Sequence, residues 1–190
     1  DRNMRDVIEY ATQFFKDNHV RRVLIGGTED NIAQFRSHLP KSWQSLVVGT
    51  FPMSMVASHN DVFQKAMQVG REAEQKREAE LVNTVVTSAA KGRGGVLQLE
   101  DTLRAVHEGR VQTLLIQDGF RAPGCRCTSC GYLSGRHFDF CPFCGGACEE
   151  IPDAVDLAVR QVMQSGGEVE VLHTSPAFSG FSTIGALVRY

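Results

Sequence analysis

The sequence predicts an α/β protein: two small α/β domains joined by a long helix, the second an α/β/α sandwich with an inserted cysteine ribbon. Three observations predict it. Short apolar runs alternate with stretches of helical period in both halves of the chain. A polar stretch, REAEQKREAE at residues 71–80, lies inside one long helical pattern. All six cysteines fall between Cys125 and Cys148. The expected division is residues 1–70 and 71–190, with the insert at 125–148.

In the first part, Val7, Ile8, Ala11, Phe14 and Phe15 mark one face of a helix over Arg5 to Asn18. Val20 to Ile25 reads as a buried strand ending in Gly26-Gly27. Thr28 can cap the next helix, whose first turn holds Glu29 and Asp30 and which Pro40 stops. Leu46 to Phe51 gives a second strand. Two strands are too few for a sheet that stands alone, so upstream sequence is expected to complete it. The opening residue, Asp1 instead of a methionine, fits the same expectation.

Ser58 and Asp61 look like the start of a helix running to Lys91. It has apolar faces at both ends and a polar middle, the pattern of a bridge between domains. After KGRGG come a short strand at Val96-Leu97, a helix marked by Leu99, Leu103 and Val106, and the buried strand VQTLLI. Beyond the cysteines, Pro152-Asp153 opens another helix, EVEVL gives a half-exposed strand, and Ile184 to Tyr190 closes the chain as a last strand.

Within the insert, Cys127 and Cys130 form one CxxC followed by Gly131, and Cys141 and Cys144 form a second followed by Gly145. Each pair can wrap a tight turn whose amides face the sulfurs. A hairpin from Gly131 to Phe140 would then bring four thiolates to one tetrahedral site, which is the pattern of a structural zinc ribbon. CxxCGY and CPxCG also suit rubredoxin-type knuckles holding one iron, though no flavin, haem or di-iron signature accompanies them. Disulfides are disfavoured, because six cysteines in 190 residues is not scaffold density. Cys125 and Cys148 are expected to flank the ribbon as free thiols close to one another. His137 could in principle be a ligand, but near a hairpin tip it reads as a solvated residue.

A net charge of −2 supplies no overall basic field, so nonspecific nucleic-acid binding through counterion release is not indicated. No apolar run approaches a membrane span and no signal peptide opens the chain, so no membrane partner is expected and the expected compartment is the cytoplasm. The six histidines show no HxxxH or HExxH spacing. Ser175 and Ser179 have no recognisable base beside them. KGRGG, residues 91–95, could touch phosphate, but it follows a helix and reads as a C-cap. No catalytic residue is assigned.

Four stretches carry a resemblance. They are GVLQLEDTLRAVHEGRVQTLLIQDG, the CxxCG and CPxCG pairs, SGGEVEVLHTSPAF and STIGALVRY. In order and spacing they resemble the C-terminal domain of archaeal and eukaryotic class-one peptide chain release factors and Pelota ribosome-rescue proteins. The first seventy residues bear a fainter likeness to the later part of that family's ribonuclease-H-like middle domain. The resemblance implies a ribosome-associated termination or rescue factor, partnered by the ribosome or its rRNA or tRNA and by a translational GTPase. Release factors hydrolyse peptidyl-tRNA with a Gly-Gly-Gln loop. None occurs here, and Gly26-Gly27 is followed by Thr28. This portion is therefore expected to dock, with any hydrolase loop upstream. The hairpin tip from Leu133 to Phe138 and the loop from Pro176 to Phe181 are the surfaces expected to be exposed. An RNA-binding module of the kink-turn-binding ribosomal protein class, and a rubredoxin-like electron carrier, are the competing readings.

Overall fold

The computed structural model describes residues 2–173 and 183–190. The loop from Pro176 to Phe181, with Ser175 and Ser179, lies outside the described residues. The chain divides into two compact units, Asp1–Lys76 and Arg77–Tyr190.

The first unit runs α1 (Arg2–Asp17), β1 (Val23–Gly27), α2 (Glu29–His38), α3 (Lys41–Gln44), β2 (Val47–Pro52) and the start of α4 (His59–Ala90). β1 and β2 pair in parallel, with Ile25 opposite Thr50. Ile8, Val23, Ile25 and Leu39 form the core, and Phe15 packs on Trp43 with ring centroids 5.2 Å apart. Thr28 caps α2 as expected, its hydroxyl accepting from the Asn31 amide at 3.4 Å. Ser58 and Asp61 form a reciprocal cap on α4: the Ser58 hydroxyl donates to the Asp61 carboxylate at 2.7 Å and accepts from the Asp61 amide at 3.2 Å. α3 is a turn of helix with no counterpart in the sequence reading.

The second unit takes the end of α4, then β3 (Gly95–Leu97), α5 (Leu99–His107), β4 (Val111–Gln117), three ribbon strands, α6 (Ala154–Gln164), β8 (Glu168–Leu172) and β9 (Ile184–Val188). Its four-stranded sheet has the order β3-β9-β4-β8. β9 is antiparallel to both β3 and β4, whereas β8 is parallel to β4. The pleat alternates side chains across the sheet. Leu114 and Ile116 therefore join Leu103, Val106, Val155, Ala158 and Val162 of α5 and α6, while Leu115 meets Val82 and Val85 of α4. That makes the α/β/α sandwich. The fold class read from the sequence holds.

The polar stretch of α4 is drier than its composition suggests. Glu78 is fully buried and its carboxylate accepts from the His173 amide at 3.1 Å. Arg77 grips Glu170 of β8 with two hydrogen bonds, at 3.0 and 2.7 Å. A charged side chain enters such a layer when its polar atoms are satisfied there.

KGRGG is the C-cap its position suggests. Gly92 takes φ +69°, and the Gly92 and Arg93 amides return to the carbonyls of Ala89 and Ser88. Gly95, next in the turn, lets β3 lie against α4: a Cβ there would sit 2.7 Å from the Val85 carbonyl oxygen and 2.8 Å from the Ala89 nitrogen. Both are backbone atoms and cannot swing aside. Gly95→Ala is expected to destabilise the second unit by ~1–3 kcal/mol, seen as a lower urea midpoint. An unchanged midpoint contradicts this packing.

Candidate metal centre

The insert between β4 and α6 is a three-stranded antiparallel sheet: β5 (Gly124–Cys127), β6 (Leu133–Ser134) and β7 (Cys148–Ile151), in the order β6-β5-β7. The two CxxCG segments form matching knuckles. In the first, the Gly131 amide donates to the Cys127 carbonyl at 3.0 Å and the Cys127 amide to the Tyr132 carbonyl at 2.8 Å. In the second, the Gly145 amide donates to Cys141 at 2.8 Å and the Cys141 amide to Gly146 at 2.9 Å. Gly131 and Gly145 take φ +75° and +74°, which glycine adopts at little cost.

The sulfurs of Cys127, Cys130, Cys141 and Cys144 all lie within 4.8 Å of one another. Cys127 is 3.4 Å from Cys144, and Cys130 is 3.6 Å from Cys141. Four sulfurs around tetrahedral zinc, each about 2.3 Å from the ion, stand roughly 3.8 Å apart. The cluster fits such an ion, and the sequence spacing picked out these four residues. The Cys130 and Ser129 amides pull the Cys127 thiol down to about 6 against the opposing effect of burial. Burial pushes Cys130 up to about 12. Protons kept on such sulfurs must leave when an ion binds, so binding weakens as the pH falls.

The ribbon does not project as a free finger: of the hairpin tip expected to be exposed, Arg136 and His137 are, but Leu133 and Ser134 are not. Leu133 and Ser134 are buried, because β6 pairs with β5 and turns Leu133 into the core shared with Leu103 and Val155. Glu100, in the first turn of α5, accepts from the Ser134 hydroxyl at 2.9 Å and the Gly135 amide at 2.8 Å. His107, at the end of α5, packs on Phe143 of the second knuckle, with centroids 4.4 Å apart, and on Tyr132. Phe138 packs partly against Cys127, Tyr132 and Cys141. The exposed apolar surface of the ribbon is Phe140 and part of Phe143 instead.

Cys125 and Cys148 are not free thiols. Their sulfurs are bonded across β5 and β7, with Cα atoms 5.7 Å apart. His137 is not merely solvated: its Nδ1 lies 3.6 Å from the Cys148 sulfur.

Among the described residues, no helix is long and apolar enough to cross a membrane. No curated protein sequence matches the chain. Residues 1–71 match the family described as bacterial archaeo-eukaryotic release factor family 10. Among solved structures, Dom34 of S. cerevisiae, a translation termination-like factor involved in RNA quality control pathways and interacting with Hbs1, matches with a TM-score of 0.63 at 10% identity. The match covers 100% of this chain and 53% of Dom34. A chain of the ribosome-bound archaeal Pelota and ABCE1 structure matches with a TM-score of 0.59 at 17% identity, over 100% of this chain and 49% of that one. The chain thus spans about half the length of either protein, and identities this low establish a shared fold. The resemblance read from the sequence is shown in these terms: residues 1–71 match a release-factor family, and the chain as a whole shares the fold of Pelota and Dom34.

Proposed function

We propose that this chain is the docking portion of a ribosome-associated factor of the termination or ribosome-rescue kind. The observation that carries the reading is a coincidence of two independent matches. A release-factor family matches residues 1–71, and one fold match covers 100% of this chain, the second unit included. On this reading residues 1–70 are the later part of a ribonuclease-H-like middle domain, and residues 71–190 are a C-terminal domain of the release-factor type.

The four-cysteine cluster holds zinc in a structural role, ligated by Cys127, Cys130, Cys141 and Cys144. Four thiolates fill the coordination sphere and leave no position for water, so the ion shapes the ribbon and does no chemistry. With no Gly-Gly-Gln in the sequence, peptidyl-tRNA hydrolysis is not assigned to this portion. The partners are the ribosome and a translational GTPase. The GTPase is suggested by the Hbs1 interaction named for Dom34.

Cosedimentation tests the reading. The protein is expected in ribosomal fractions, enriched when ribosomes are stalled. Consistent absence from both stalled and elongating ribosomes overturns it, as does equal binding to free structured RNA at physiological salt.

A further inference from the structure

We propose that Cys125, Cys148 and His137 form a second metal site beside the four-cysteine cluster. It takes a thiophilic divalent cation of the zinc type when its two sulfurs are reduced.

The strand register builds the site. Cys148 lies opposite Cys127 in the β5–β7 ladder, and Cys125 is two residues back along β5, hence on the same face. β6 ends at Ser134, and His137 follows three residues later. Its Nδ1 stands 3.6 Å from the Cys148 sulfur, and the donor atoms of all three residues lie within 4.8 Å of one another. Two thiolates and an imidazole are the donors that borderline-soft cations prefer.

Two further observations favour a ligand here over a simple crosslink. First, the other ring nitrogen of His137, Nε2, faces the Asp139 carboxylate at 3.8 Å. This places a carboxylate on the Nε2 side of the ring, where outer-shell partners of metal-bound histidines stand, at a distance beyond a direct hydrogen bond. Second, Cys125 and His137 line a cavity of about 290 Å³ that also touches Pro123, Glu150 and Ile151. Three protein donors with open space alongside leave a fourth position for water or an added ligand. The four-cysteine cluster has no such opening on this reading, so the two sites differ in kind.

The two states exchange by balanced steps. A small dithiol, or two molecules of a monothiol, reduces the Cys125–Cys148 bond; two electrons and two protons pass to the pair, and the reductant leaves as its own disulfide. The cation then displaces the two thiol protons as it binds. A small-molecule disulfide reverses the sequence: it accepts the two electrons, leaves as two thiols as the Cys125–Cys148 bond re-forms, and the ion is released.

The test is a count of zinc per chain on the whole protein, loaded under a phosphine reductant and desalted. Two ions are expected for the unaltered chain, and one for the Cys125→Ser/Cys148→Ser pair. His137→Ala keeps both sulfurs and the ability to crosslink, yet it too is expected to hold one ion. Cobalt in place of zinc should add a two-sulfur charge-transfer band to the four-sulfur spectrum, absent in both variants. One ion in the unaltered chain with all six thiols titratable overturns the proposal. So does a second ion that survives in His137→Ala.

Discussion

Replacing Cys141 with serine is expected to abolish binding at the four-cysteine cluster and to melt the knuckles. Cys141 is buried and its sulfur is 3.6 Å from that of Cys130, so its loss opens the sphere at the centre. Isolated zinc fingers draw on the order of 10 kcal/mol of folding free energy from their ion, more than any single packing change supplies. Here part of the ribbon is docked, so the loss should be uneven. Amides of the segments 127–131 and 141–146 should lose exchange protection first, while those of β4 and β9 keep theirs. Chelation of the unaltered protein under reducing conditions should give the same map. Unchanged protection in both knuckles after the metal is gone rules out a structural role for the ion.

Leu133→Ala probes the opposite end of the same coupling. Leu133 is 1% exposed and belongs to the core made by α5, α6 and the main sheet. Truncating a fully buried leucine costs ~2–5 kcal/mol, depending on how far the cavity collapses. The urea midpoint of the second unit should fall accordingly, with the metal content of the four-cysteine cluster unaltered. A shift worth less than about 1 kcal/mol, far below that range, places Leu133 outside the core and restores the free finger.

What the sequence made legible follows from period and spacing. VQTLLI could only be a buried strand, and it is β4, with Leu114 and Leu115 facing opposite layers. The two CxxCG segments carry their own turn geometry, so four sulfurs could be placed together without any knowledge of the surroundings. Docking left no such trace. Glu100 reads as an ordinary first-turn acid on a helix, and its bonds to Ser134 and Gly135 span more than thirty residues of chain. Leu133 reads as part of a tip because it falls in the hairpin joining the two knuckles, yet one strand pair is enough to turn it inward. His137 reads as solvated because it falls near the hairpin tip, and sequence position alone does not reveal the Cys148 sulfur beside it. The useful cue was the parity of Cys125 and Cys127, which puts both sulfurs on one strand face. α3 escaped because four residues are too few to show a period.

The position of β9 has a consequence for how the protein comes into being. β9 lies between β3 and β4, and contributes Ile184, Ala186 and Val188 to the core. Until it arrives, the nascent sandwich presents two open strand edges flanking a gap, the condition under which chains pair with their neighbours. The second unit thus closes only when a strand more than eighty residues away from β3 in sequence takes its place beside it.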